Sequence, residues 1–151
     1  MEETVRLYDS GEQALILQLH HGDYLLESIR EAIAQARLDT AIVTSGIGCL
    51  KRGVIHTVAT NEYPPRDVFL HLEGPLEIVS LQGIIANGEP HLHIALWNWH
   101  NQQGTFYGGH LEEGCEILTL AEISLLRVPN LRLIRQPLPE SGIRVIVPRE
   151  G

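Results

Sequence analysis

The stretch EPHLHIALWNWHNQQGTFYGGHLEEG, residues 89 to 114, carries four of the eight histidines in the 151-residue chain. In an extended strand the side chains of HLHIALW alternate, so His91, His93, Ala95 and Trp97 share one face and Leu92, Ile94 and Leu96 the other. Residues i and i+2 lie about 6.5–7 Å apart at Cα, a span that two imidazoles can close around one ion at Zn–N distances of about 2.0–2.1 Å. A third ligand must come from elsewhere. His110 follows Gly108-Gly109, a pair that lets the backbone turn sharply or approach another chain segment closely, and hairpin geometry can return it to the same face. Three neutral histidines with an open fourth position make the donor set of a catalytic rather than a structural zinc, whose bound water is acidic enough to react near neutral pH. Such a site keeps the full charge of the ion and favours a small anionic or carbonyl-bearing ligand.

From the residues alone a second reading stands beside this one: His91 and His93 form the polar outer face of a sheet, and His110 belongs to a loop. His100, in NWHNQQG, reads as a loop tip, and His20, His21, His56 and His71 have no spacing that converges on the triad. Glu77, in GPLEIVSL, is the candidate carboxylate to orient an imidazole or act as a general base, with cross-strand pairing to an arginine as its alternative. Glu112, Glu113 and Glu122 are weaker candidates. Cys115 reads as a core thiol at a strand start, and the phosphate-cradle, nucleophile-elbow and H-E-x-x-H motifs are absent.

The elements that must position these residues are mostly strands. ALILQLH reads as the opening strand, and Leu25, Leu26, Ile29, Ile33 and Ala36 recur at helical spacing behind Asp23, an expected N-cap. TAIVTSGIG, GVIHTVA, DVFLHLEG, PLEIVSLQGIIA, PHLHIALWN and CEILTLAEISLLRV read as further strands. Asn87-Gly88 between two alternating runs predicts a hairpin, since both residues tolerate positive φ. The tail breaks at Pro137 and Pro139, with IRVIV as a last strand on a sheet edge. Strands around one early helix predict an α+β fold with a mostly antiparallel, twisted sheet in a single domain.

Composition agrees with that class: 44% hydrophobic and 20% charged residues, with no apolar run of the roughly 20 residues that cross a bilayer. The N-terminus has no basic region followed by an apolar one, so the expected location is the cytoplasm, where Cys49 and Cys115 stay reduced. A formal net charge of -8 argues against a large phosphate-contacting surface, although Arg127, Arg132, Arg135, Arg144 and Arg149 give the tail a mildly basic character suited to solvent or subunit contact.

The order GDYLLESI, SGIGCL, GPLEIVSLQGII, PHLHIAL, GGHLEEG and AEISLL resembles the plants-and-prokaryotes-conserved (PPC) domain over about residues 5 to 128, leaving 129 to 151 as a C-terminal extension. The resemblance implies a free-standing prokaryotic type that assembles as a homotrimer, with a zinc-type site on His91, His93 and His110 and the family's strand glutamate at Glu77. In plants the domain follows AT-hooks, but a hook needs a basic core around Arg-Gly-Arg-Pro, and here only KRG at 51 to 53 is present, so direct DNA binding is not expected. Two functions follow. One is a trimeric zinc protein, a candidate hydrolase of unknown substrate. The other is a non-enzymatic oligomerisation or regulatory module linked to transcription, in which Trp97 and Trp99 line a subunit contact or a pocket wall.

Overall fold

The computed structural model describes residues 5–150, and it opens on a strand too short to show periodicity, β1 (Arg6–Asp9), paired antiparallel with β2 (Ala14–His20). On β2 the odd positions Leu15, Leu17 and Leu19 are buried, as alternation requires of a strand with one covered face. Helix α1 (Leu25–Gln35) then buries Leu25, Leu26, Ile29, Ala32 and Ile33 against the same core. Its N-cap is Tyr24, without a side-chain cap, and not Asp23. The Asp23 carboxylate instead accepts the backbone N–H of His20 at 2.7 Å and the guanidinium of Arg6, so it is spent on closing the β2–α1 turn rather than on the helix N–H groups.

The next two strands are long. β3 (Ala41–Val58) joins TAIVTSGIG and GVIHTVA into one element, and β4 (Asp67–Ala86) likewise joins DVFLHLEG and PLEIVSLQGIIA. Register shifts in β3 at Val43/Ser45, Gly48/Leu50 and Leu50/Arg52 bend it without breaking its ladder, which is why its internal glycines do not end the strand. The expected hairpin at Asn87-Gly88 is present, with φ of 52° and 73°, and leads into β5 (Glu89–His100). What reads as a polar loop in the sequence is a second tight hairpin: Asn101 and Gln102 turn the chain, both with positive φ (49° and 61°), into β6 (Gln103–Leu111). β7 (Glu116–Arg127) returns across the molecule to lie between β2 and β3.

The resulting seven-stranded sheet has the order β1-β2-β7-β3-β4-β5-β6, and every pairing is antiparallel. It curls until β6 meets β3 again through Ile55↔Leu111 and His56↔His110. Leu50, Ile55, Leu76, Leu81, Leu92, Leu96 and Leu111 fill the concave side and are continuous with the leucines under α1. The fold is therefore α+β, a mostly antiparallel sheet with one helix. β8 (Leu133–Pro137) and β9 (Arg144–Pro148) make a two-stranded sheet of their own, so IRVIV pairs within the tail rather than on an edge of the main sheet. Among the described residues no helix is long and apolar enough to cross a membrane.

Candidate metal centre

Register does the work of gathering the histidines. The two-residue turn at Asn101-Gln102 pairs His100 with Gln103, and the ladder that follows places His93 opposite His110. The short β3–β6 contact places His56 opposite the same His110. Opposed residues point to one face of a sheet, so His56, His93 and His110 emerge together, and His91 joins them two residues before His93. A slip of one residue in the β5–β6 hairpin would send His110 to the core face instead. Leu92 and Ile94, at 1% and 3% exposure, hold the opposite side of β5 in the core and oppose that slip.

The rings are in mutual contact. Centroids of His91 and His93 are 5.3 Å apart, His91 and His110 4.8 Å, and His93 and His110 5.8 Å. Imidazoles sharing a tetrahedral ion at Zn–N distances of about 2.0–2.1 Å have ring centres roughly 5 Å apart, so all three spacings suit a common ion. His56 stacks on the other side of His110, with centroids 4.3 Å apart and an interplanar angle of 18°. A carboxylate completes the group: Glu112 Oε1 lies 2.5 Å from His56 Nδ1 and 3.3 Å from His110 Nδ1. The donor atoms of His56, His110 and Glu112 all fall within 4.8 Å of one another, and among the described residues no other set of three converges as closely. His91 and His93 would reach an ion shared with His110 by rotating about χ2, a soft torsion for imidazoles open to solvent on this face.

Two details suit metal ligation. His110 Nδ1 lies 3.0 Å from the carbonyl oxygen of Leu111, a bond that makes Nδ1 the donor and leaves Nε2 as the free lone pair. Burial, then the neighbouring His110 and Arg135, hold the His91 imidazole down to about 4. His110 is lowered in the same direction by burial and by His56, with Glu112 acting against them. Near neutrality both rings are therefore uncharged, the form that binds metal.

The other sequence candidates are placed elsewhere. Glu77 sits opposite Trp97, four residues along β5 from His93, or roughly 13 Å at about 3.3 Å per residue. Its neighbour across β3 is Cys49, whose thiol is pushed up by burial and by the Glu77 charge. Glu113 pairs with Arg30, and Glu122 faces Gln18 and Ile47. Cys115 is fully buried, receives the Val54 N–H at 3.1 Å, and is raised to about 11 by burial, as befits a core thiol. His100 ends β5, away from the cluster. Trp97 packs on Phe106 with centroids 4.6 Å apart, while Trp99 is exposed.

His56 is the member that spacing does not reveal, and Glu112 is by spacing no more than a weaker candidate. A signal was present: His110-Leu111-Glu112 repeats the polar-apolar-polar alternation of His91-Leu92-His93, so Glu112 shares the face of His110. His56 becomes visible only once β6 is known to pair with β3.

Known proteins support the same architecture. The chain is 33% identical over 127 residues to the bifunctional protein GlmU of Synechococcus sp. (strain JA-3-3Ab), covering 83% of this chain but only 19% of that protein. It thus spans about a fifth of the length of that relative. A plant- and prokaryote-conserved (PPC) protein of Pyrococcus horikoshii superimposes with a TM-score of 0.70 at 26% identity, over 95% of both chains. A metal-containing protein of Archaeoglobus fulgidus shares the fold with a TM-score of 0.74 at 24% identity, over 97% of this chain and 99% of its own. With the family model matching residues 6–129, the chain belongs to the Plants and Prokaryotes Conserved (PCC) domain family.

Proposed function

We propose that this chain is a zinc-binding protein in which His91, His93 and His110 hold the ion, His56 and Glu112 support it, and the working unit is a homotrimer. The observation that carries the metal reading is the convergence of four imidazoles and one carboxylate from three strands, with His91 and His110 held neutral. That the Archaeoglobus fulgidus relative is metal-containing supports the same reading. When bound, zinc would supply a Lewis acid and a water of lowered pKa, which suits hydrolysis of a carbonyl or phosphoryl compound. The chain's own part is to present three imidazole nitrogens from strands rather than loops. The proton-handling role expected of Glu77 passes to the pair of Glu112 and His56, whose 2.5 Å contact places a base beside the ligand set.

Assembly is supported by the outer face of the sheet. Ile16, Ile42, Ile47, Leu120 and Leu126 are 37–54% exposed, and the registers Ile42↔Leu126, Ile16↔Ser124 and Ile47↔Glu122 put them on one surface. Association with further copies would remove this apolar row from water. The same observation favours the second reading, a non-enzymatic association module. The test is elemental analysis of purified, tag-free protein beside a His91→Ala/His93→Ala double variant. About one zinc per chain in the parent and none in the variant is the expected result for a three-ligand zinc site. No metal in either after zinc reconstitution would refute the metal reading and leave the association module.

A further inference from the structure

The C-terminal hairpin lies outside the residues matched by the family model, and it brings two arginines to the histidine cluster. Arg135, on β8, is half-buried; its guanidinium donates to the carbonyl oxygen of Ile84 at 3.3 Å, and its Nε is buried with no hydrogen-bond partner. Arg144, on β9, donates to the carbonyl oxygen of Arg135 at 3.0 Å. Among the described residues neither forms an ion pair. Both are thus fixed by backbone oxygens, which orient the cations without neutralising them. Arginine cannot shed its proton to escape burial, so the half-buried Arg135 carries a desolvation cost that an anion would offset, while Arg144 beside it is exposed.

The space in front of these groups is open. A cleft of about 580 Å³ is lined by His91, His110, Arg135 and Arg144, with Glu89 the only acid on its wall. A second cleft of about 560 Å³ shares His91 and Arg135 and is walled by His93 and the apolar Ile42, Ile84 and Ile146. Both volumes fit a small molecule. In a chain of net charge -8, the cleft beside His91 and His110 carries two arginines that form no ion pair among the described residues.

We propose that Arg135 and Arg144 form an oxyanion subsite, taking the carboxylate or phosphate group of a small molecule whose other end reaches the histidine cluster. The second clause rests on the metal reading; the first does not. Two guanidinium groups on one cleft wall, one held from the Ile84 carbonyl and the other from the Arg135 carbonyl, can each donate N–H groups to the oxygens of one anion. Burial, and then the adjacent Arg144, lower the Arg135 guanidinium from its ordinary value, and a bound anion would act against both.

The experiment is calorimetric titration of zinc-reconstituted full chain with inorganic phosphate and, separately, succinate, comparing wild type with Arg144→Gln and with Arg135→Gln/Arg144→Gln. Zinc content and near-ultraviolet circular dichroism are recorded for each protein. Arg144→Gln alters an exposed side chain and keeps the fold testable should the double variant fail to fold. The expected result is binding of at least one probe by wild type, weakened roughly tenfold or more in both variants at unchanged zinc content. Stronger binding of phosphate or of succinate then identifies the anion class. Equal binding in wild type and Arg144→Gln, or no binding of either probe up to about 10 mM, overturns the subsite while zinc content leaves the metal reading standing. If no protein holds zinc, the metal reading falls, and the same titration of metal-free protein decides the arginine pair by the same criterion.

Discussion

Gly109 sits where β6 closes onto β3, and substituting it by alanine should damage the cluster from the backbone side. A Cβ at Gly109 would lie 2.3 Å from the carbonyl oxygen of His56, against a floor of 3.0 Å for real contacts, so the strands must part by about 0.7 Å at least. The obstacle is backbone, not a flexible side-chain tip, and only Ile55↔Leu111 and His56↔His110 pair there. Overpacking of this kind costs about 1–3 kcal/mol. With a urea slope of about 2 kcal/mol/M, the unfolding midpoint should drop by roughly 0.5–1.5 M. Gly108→Ala is the matched control: its nearest obstacle is the Ile94 carbonyl oxygen at 3.6 Å, an ordinary contact, so its midpoint should barely move. Both variants should be compared at one protein concentration, since self-association would add a concentration term. Gly109→Ala should also bind zinc more weakly, because the separation falls between His56 and His110. Equal midpoints for the two variants would refute the claim that closure of β6 on β3 shapes the site.

Three further outcomes are expected. Cys115, held up at about 11, and buried Cys49 should resist a thiol reagent at pH 8 in the native protein and both react in denaturant; rapid native labelling would contradict their burial. In metal-free protein, His91 stays neutral down to about 4 while the unfolded chain protonates near 6.5, so the unfolded state binds more protons across that window. Stability should therefore be independent of this group above about pH 6.5 and fall as pH drops from there toward about 4, with a shallower decline for His91→Gln in urea titrations. An Ile16→Asp variant, which places a charge in the exposed apolar row, should sediment as a smaller species than the parent; unchanged sedimentation would remove that face from the assembly reading.

How far the sequence discloses this molecule depends on whether the physics is local. Alternation on β2, β5 and β7, the apolar stripe of α1 and the Asn87-Gly88 turn are each written within a dozen residues, and each is realised. The misreadings arise where a longer-range partner decides. Asp23 has the side chain of an N-cap, but Arg6 and the His20 N–H claim its carboxylate. TAIVTSGIG and GVIHTVA look separate because glycine punctuates them, yet bulges carry β3 through.

The candidate site shows the same division. His91 and His93 are local to one strand, and their shared face follows from pleating alone. His110 needs the Asn101-Gln102 turn, which lacks the Asn-Gly signature and so reads as loop until its two positive φ angles are known. His56 needs β6 to reach β3, a closure that a bare Gly109 permits and that no periodicity encodes. Glu77 shows the converse: its strand does neighbour that of the histidines, but register sets it opposite Trp97. Strand adjacency can be inferred from a hairpin signal, whereas proximity along the strands is a matter of counting residues from the turn. Counted from Asn87-Gly88, Gln82 and Ile84 are the residues of β4 that face His93 and His91, and neither titrates. The carboxylate in contact with His56 and His110 is Glu112, just past the end of β6, a weaker candidate by spacing because only the β5–β6 register and the β3–β6 contact bring it to the cluster.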